Sequence, residues 1–581
     1  MFFLYNFFAC LILSEKRILV ARIRYLVDFF HTINVIRFVI FVFNRNTNPF
    51  KSKEFKKFIE INTKQWENSK KIKNNKKEIV LCEKFISHSG YAVGNILIAK
   101  YLQLFGGYRA HGFLRKGDIK GEVLFRSFGI DKFYYYSFGG IYQRCKYIIK
   151  SILLLKDIKH IRNLINIRIN KIEIGFLAYD AFMRYTGFHT ATKINFRIIL
   201  VFAEALKAID FHEKNFNNSK ISHFVQTERN FVPMGIFFQK FLLNKVSVYS
   251  KYGPNNSTVR KYTNFDQRNL EKKTSSKKLL NDVLKNFKNS SIKMITKDMS
   301  SRTTFGHLPT WDPKKFKKNQ KNQMKVMEKN KFYDLFGWDN KKKIATIFLH
   351  HLIDGNYRSG PRNIFKDNYT WSYQTINMIK KYKKTNWIIK QHPSEYYYAS
   401  RFNFSTHVKE IEKNYKHIKL CPVDLNDATL KKYTDIAITS HGTSAVEYPA
   451  YGTPAINVED SFMTHVGCST QAKNLKHYKL LLSKAHKMTK ISKKKIEKAK
   501  IFLFISGLLL KNKNFVPSFA LNRENFDEDK LWKEFPSSIK KFNQKDDRFK
   551  VMFKKQLDFK LRHTINFDLY GSKNKIYNDC S

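Results

Sequence analysis

A chain of 581 residues, 43% hydrophobic and 15% aromatic, is long enough to bury at least two large cores, which excludes a disordered polymer. Lys and Arg outnumber Asp and Glu by 107 to 47, and the formal charge of +60 draws nucleic acid, anionic lipid or an acidic polymer; Lys, Asn, Ile, Phe and Tyr are nevertheless abundant throughout, as an AT-rich coding sequence produces, so much of that charge is ordinary solvated surface. The six cysteines (Cys10, Cys82, Cys145, Cys421, Cys468, Cys580) form no CxxC pair, which excludes a disulfide scaffold and a zinc site and fits reduced thiols.

Residues 1–45 interleave arginines with Phe, Leu, Ile and Val. Glu15, Lys16, Arg17, Arg22, Arg24 and Asp28 interrupt the run before a spanning length of about 20 residues, and neither the charge order nor the cleavage site of a signal peptide is present. The pattern is that of an amphipathic segment at a membrane surface, or of an ordinary docking helix. Residues 1–75 form this N-terminal segment, with Lys51–Lys77 as a charged connector at its end.

A first α/β domain is expected over residues 76–255. Strand-length apolar runs at Glu78–Phe85, Tyr108–Phe113, Lys132–Tyr136, Lys171–Gly175, Ser222–Gln226 and Lys245–Tyr249 alternate with helix-period stretches such as Tyr91–Leu104, Tyr142–Leu164 and Asn195–Phe211. Residues 256–335 lose that rhythm and, rich in Lys, Asn, Ser and Thr with Pro309 and Pro313, form a basic connector with some helix. A second α/β domain follows over 336–500, with strands at Ile344–His350, Trp387–Lys390, Ile418–Cys421, Asp435–Thr439 and Ala455–Val458 and helices near 369–384, 405–415, 426–433 and 443–451. Residues 501–581 are a basic aromatic tail expected to pack back. Strands separated by helices give parallel sheets, and two such units suggest facing Rossmann-type domains whose ligands lie beyond the carboxyl ends of the strands.

The motifs sit at those ends. One strand runs into Lys390-Gln391-His392-Pro393, where Pro393 stops the ladder. Another runs through Ser440-His441-Gly442-Thr443 into a helix over Thr443–Tyr451, closed by Gly452-Thr453-Pro454. Free backbone N–H groups and hydroxyls there suit a phosphate, and Glu447, one turn further in, suits sugar hydroxyls; together these describe a nucleotide-sugar pocket. His350, His351 and Asp354 follow the first strand of the same domain and either contact donor or acceptor or cap the loop. Asp180, after Lys171–Gly175 and beside Tyr179 and Arg184, is read as a general base at a strand end or as a helix N-cap; Glu228 and Arg229 are weaker candidates of the same type. No HExxH and no DxD set argues for a metal.

The run Phe365-Lys366-Asp367-Asn368-Tyr369-Thr370-Trp371, Thr375, Asn386–Pro393, Ser440–Glu447 and Gly452-Thr453-Pro454 resembles the bacterial capsule (surface) polysaccharide biosynthesis family, related to the capsule Kdo transferases. The resemblance covers 340–475 well and 80–250 loosely, and CDP-glycerol polymerases and sugar-nucleotide epimerases share parts of it. It implies an α/β, GT-B-like fold of two facing Rossmann-type domains with an inter-domain cleft. The implied activity is metal-independent glycosyl transfer that builds capsule or another cell-surface polysaccharide. Lys390, His392, Ser440, His441, Gly442, Thr443 and Glu447 would then bind the donor; the catalytic candidates, Asp180 and Asp354, come from the reading of the residues and match no catalytic position of that family. The nucleotide-sugar, CMP- or UDP-linked, is a substrate, so no cofactor and no metal are expected. The partners would be that donor and a glycan or lipid-linked acceptor, with the protein cytoplasmic and peripheral at the inner face of the bacterial membrane. A CDP-glycerol-type glycerophosphotransferase uses a similar pocket and is the alternative. An RNA-binding protein is the alternative of another class, although no RNA-binding signature is present and no nucleic-acid partner is expected.

Overall fold

The computed structural model describes residues 52–67, 76–86, 89–137, 139–251, 259–269, 280–281, 283–285, 288–301, 325–339, 341–358, 360–392, 395, 400–461, 463–506 and 528–541. The membrane-surface segment expected over 1–45 and the strand-stopping Pro393 lie outside the described residues. Among the described residues no helix is long and apolar enough to cross a membrane.

The chain divides into two units, the first of Met1–Thr186, Lys193–Arg268 and Leu509–Ser581, the second of Gly187–Thr192 and Asn269–Leu508. Both are α/β, as expected from the alternation of strand and helix patterns. In the first, β1 (Ile79–Lys84), β2 (Arg109–Arg115), β3 (Phe133–Tyr136), β4 (Ile221–Gln226), β5 (Ser247–Lys251) and β6 (Val259–Tyr262) form one sheet in the order β3-β2-β1-β4-β5-β6. It is parallel except for β6, which pairs antiparallel with β5. In the second, β7 (Lys343–Phe348), β8 (Thr385–Lys390), β9 (Ile418–Leu420), β10 (Ile436–Thr439), β11 (Ala455–Asn457) and β12 (Thr470–Gln471) form a parallel sheet in the order β12-β11-β10-β7-β8-β9. Both sheets are wound outward in two directions from their first strand, with the switch in direction between β1 and β4 in one and between β7 and β10 in the other. Helices on both faces explain why the central strands are nearly continuous apolar runs. Val80–Cys82 and Ile436–Ile438 are buried throughout.

Three expectations are corrected. Lys171–Gly175 is not a strand: Asn170 and Lys171 adopt positive φ of 47° and 69°, Ile169 and Ile172 make a lone antiparallel bridge, and a helix runs over Ile174–Thr186. The apolar residues that looked like strand alternation open a helix buried for most of its length. A Cβ on Gly175 would lie 2.2 Å from the Leu164 carbonyl oxygen, so glycine permits the close approach to the short helix Ile161–Ile165. Lys51–Lys77 is not simply a connector. Ser52 caps a helix over Lys53–Trp66, whose Phe55, Phe58, Asn62 and Trp66 recur at helical spacing and are buried, while the lysines between them are solvated. The stretch 256–335 holds the helix expected of it, at Lys288–Ser301 and at Lys329–Phe336, the latter burying Phe332 and Phe336 in the second unit, but it also contributes a strand, β6, to the first sheet. From the tail, helix Glu528–Lys541 packs on Lys53–Trp66 in the first unit.

Candidate functional site

In the second sheet the switch in winding direction leaves the carboxyl ends of β7 and β10 with chain departing to opposite faces, and α/β sheets bind ligands in such crevices. β7 ends at His350 and His351, β8 next to it at Lys390-Gln391-His392, and β10 at Ser440-His441-Gly442. The structure brings six of the sequence candidates together there. The His350 and His441 rings stack at 4.1 Å between centroids with an interplanar angle of 16°, and His351 and His392 lie 3.9 Å apart.

Hydrogen bonds fix the state of His350. Its Nε2 accepts the His441 backbone N–H at 3.2 Å and lies 2.9 Å from the Thr439 hydroxyl, whose oxygen in turn accepts the Gly442 N–H at 3.1 Å. Nε2 is therefore the acceptor, and the neutral ring carries its proton on Nδ1. Burial pushes His350 well below the ordinary imidazole range, and the neighbouring His441, His392, Arg362 and His351 push the same way. His392 is lowered for the same first reason, reinforced by His351 and Lys390. Both rings are neutral at pH 7 and offer hydrogen bonds rather than fixed charge. Gly442 is required by space: a Cβ there would lie 2.8 Å from Thr439 Oγ1 and 3.1 Å from His350 Cε1.

Residues that sequence reading missed hold this arrangement. Arg362, in the loop after β7, donates to the Ser440 hydroxyl at 2.8 Å, to Asn368 Oδ1 at 2.7 Å and to the Phe365 carbonyl at 3.1 Å. Glu459, two residues beyond β11, accepts the backbone N–H groups of Asn363, Ile364 and Phe365 at 2.6, 3.1 and 2.8 Å. Its carboxylate is 3.9 Å from the Arg362 guanidinium, and both side chains are almost fully buried. Glu395 lies 3.5 Å from His351 Nδ1. An acid just past a strand end was the available signal for Glu459; nothing in the local pattern distinguished Arg362 from the other basic residues.

The remaining candidates fall differently. Lys390 lies 3.1 Å from Asp427; burial works against its charge, but Asp427 and Cys421 outweigh it and hold the ammonium above its ordinary range, so this cation is committed to a carboxylate. Thr443 is exposed, and it precedes a helix over Ser444–Ala450 without capping it through its side chain. Glu447 is largely buried one turn into that helix. Asp354 is half-buried beside Gly355, whose φ is +66°. Asp180 stands neither at a strand end nor at an N-cap: it is buried in the middle of Ile174–Thr186, in the first unit. In the same unit Tyr179 is buried and Arg184 half-buried, while Glu228 accepts the N–H groups of Arg229 and Asn230 at 2.8 and 2.9 Å as a loop cap.

The first sheet has its own switch, between β1 and β4, and Glu83 sits there fully buried. Its carboxylate accepts the N–H groups of Phe85 and Thr227, yet burial dominates and raises its pKa to about 7. Among the described residues no group of three or more His, Cys, Asp or Glu is arranged to hold a metal ion.

No protein-family model matches the chain, and no curated protein matches it. Among solved structures it is similar to the KpsC β-Kdo 2,7-transferase of Thermosulfurimonas dismutans, at 13% identity and a TM-score of 0.30 over 58% of this chain and 89% of that one. It is similar to a UDP-forming α,α-trehalose-phosphate synthase of Burkholderia vietnamiensis, at 8% identity and a TM-score of 0.29 over 79% and 97% of the two chains. A third similar structure is the wall teichoic acid polymerase TagF, at 10% identity and a TM-score of 0.22 over 89% and 97%.

Proposed function

We infer that the protein is a glycosyltransferase of GT-B type that takes a nucleotide-activated sugar and builds a capsule or other cell-surface polysaccharide. The observation that carries this reading is the convergence of His350, His351, His392, Ser440, His441 and Gly442 on the switch of the second sheet, from three strand ends far apart in sequence. In this reading the neutral imidazoles and the Ser440–Gly442 turn receive the phosphate of the donor nucleotide, and Glu447 holds sugar or ribose hydroxyls. Hydrogen-bond donors fixed in place before reaction stabilise charge that develops on the leaving phosphate. The acceptor is a glycan or lipid-linked glycan at the inner face of a bacterial membrane. A glycerophosphotransferase using a CDP-linked donor shares the pocket chemistry, and the donor that binds separates the two.

The test is a thermal-shift series on the full chain with CMP, CDP, UDP, GDP and their common sugars, repeated with His392→Ala. A ligand bound to the folded state raises its apparent stability, by about 2.7 kcal/mol at a hundred times its dissociation constant. One nucleotide class is expected to raise Tm in the native protein and not in the variant. Equal shifts in both proteins, or none with any nucleotide, would remove the reading.

A further inference from the structure

Helix Ile141–Leu155 of the first unit has two faces rich in apolar residues and buries one of them. Its buried residues are Tyr147, Ser151 and Leu155. The Tyr147 hydroxyl donates to Asp210 at 2.9 Å and the Ser151 hydroxyl to the Ile199 carbonyl at 2.9 Å, which lays this side on the helix Phe196–Phe216. At about 100° per residue, Ile141, Tyr142, Cys145, Ile149, Ile152 and Leu153 fall within a separate arc of about 120°. Cys145 is exposed, and the other five are between 45% and 82% exposed.

Apolar residues scattered singly are ordinary on a protein surface; a continuous stripe is not. Of the fifteen large hydrophobic residues exposed among the described residues, five stand on this one helix. Phe196, also exposed, opens the neighbouring helix, and the bond from Ser151 to Ile199 places it beside the last turns of Ile141–Leu155. The charge along the stripe is predominantly of one sign. Residues 141–162 hold six Lys and Arg and one acid, Asp157. Lys146 is exposed at the edge of the stripe and Lys156 at its carboxyl end, while Lys150, beyond that edge, lies 3.5 Å from Asp210. Lysine stems lie along apolar surface and carry the ammonium outward to a charged interface. Protein interfaces, by contrast, are enriched in aromatic residues, Met and Arg and depleted of Lys. A largely aliphatic stripe edged by lysines is what an anionic lipid surface takes up.

We propose that this face of Ile141–Leu155 docks the first unit on an anionic lipid membrane. The Ile, Leu and Tyr side chains enter the boundary between headgroups and acyl chains, and the lysines meet the lipid phosphates. The helix follows β3, which ends at Tyr136, so Ile141 and Tyr142 stand at the carboxyl end of the first sheet, where such sheets bind ligands. A membrane on this face therefore lies beside that end. Only the identity of what the membrane presents there, a lipid-linked acceptor, rests on the glycosyltransferase reading. The contact itself needs neither the donor nor the histidine site.

The experiment floats the full chain with vesicles of phosphatidylglycerol in phosphatidylcholine and with phosphatidylcholine alone. The native protein is compared with Ile149→Glu/Ile152→Glu, with Lys146→Glu/Lys156→Glu and with Val423→Glu, an equally exposed apolar position in the second unit. Tm reports whether each variant folds. Capture by the anionic vesicles is expected in the native protein and in Val423→Glu, and a loss of about tenfold or more in both helix variants. No capture of the native protein, equal capture by phosphatidylcholine alone, or equal capture of native protein and helix variants overturns the proposal. So does a native dimer that Ile149→Glu/Ile152→Glu dissolves, since a second copy would then cover the stripe. Cys145 reports the contact directly, because Cys82, Cys421 and Cys468 are buried. In a chain carrying Cys10→Ser and Cys580→Ser, a polarity-sensitive dye on Cys145 is expected to shift blue on the anionic vesicles; unchanged emission counts against the contact. The nucleotide thermal shifts keep the two readings apart: the glycosyltransferase reading fails with the shifts, the docking face with the vesicles.

Discussion

Glu83 shows how one side chain records its surroundings. The carboxyl is fully buried at the end of β1, and although backbone N–H groups favour its ionised form, burial raises its pKa from 4.5 to about 7. The folded state therefore keeps a proton that the unfolded chain has released between those values. Stability is lost as pH rises through that window, by about 3 kcal/mol for a shift of this size. In Glu83→Gln that loss is absent. Urea midpoints of the two proteins at about pH 5 and about pH 8 should show the native protein losing ground to the variant at the higher pH; the opposite trend would mean that Glu83 is ionised in the fold. In the second unit the direction reverses: His350 and His392 are lowered, so their contribution is present above the ordinary imidazole pKa and falls as the medium is acidified.

At the scale of elements, the helices Lys53–Trp66 and Glu528–Lys541 come from opposite ends of the sequence and close one core together. Trp532 packs against Phe55 at 4.8 Å and Phe58 at 4.9 Å, and Lys120 reaches Glu528 at 2.5 Å. Deleting a buried Trp costs about 3–5 kcal/mol. Trp532→Ala is therefore expected to lower the denaturation midpoint of the first unit while leaving the nucleotide response of the second in place; an unchanged midpoint would mean that the helix Glu528–Lys541 is dispensable. This pairing also shows what sequence could and could not disclose. The central strands were legible because a parallel strand buried on both faces is a short continuous apolar run, as at Trp387–Ile389 and Ile436–Ile438. Their ends were legible because polarity returns abruptly at His392 and Ser440. The helix at Lys53–Trp66 was obscured because its four buried residues are spread among lysines, so composition masked its period. Asp180 was misplaced because a short apolar stretch fits a strand and a buried helix equally well. Arg362 was invisible, and Glu459 showed no more than an acid just past a strand end, because their roles depend on a contact across 96 residues of sequence between Asn363 and Glu459.

At the scale of the molecule, the formal charge of +60 is a self-repulsion that the folded state concentrates and the unfolded chain dilutes. Raising the salt from about 0.01 M to about 1 M shortens the Debye length from about 30 Å to about 3 Å. Tm is expected to rise by several degrees over that range in sodium chloride, and a flat or falling Tm would show that the charges are already compensated in the fold. The chain's path between its units has a practical result of a different kind. Six residues, Gly187–Thr192, leave the first unit and lie on the second: Thr190 donates to Asp367 at 2.5 Å, Lys366 to the Ala191 carbonyl at 2.7 Å, and the His189 ring stands 4.3 Å from Tyr369. Asp367 caps the helix Asn368–Ile379, and Asn368 in turn donates to the His351 carbonyl at 2.8 Å, so this strip braces the histidine site from outside the main span of its own unit. No single cut in the gene can therefore deliver the second unit whole. A fragment beginning at residue 269 encodes the sheet and the histidines without their clasp. Faithful dissection requires the missing strip to be spliced back, by circular rearrangement of the coding sequence or as a peptide supplied in trans.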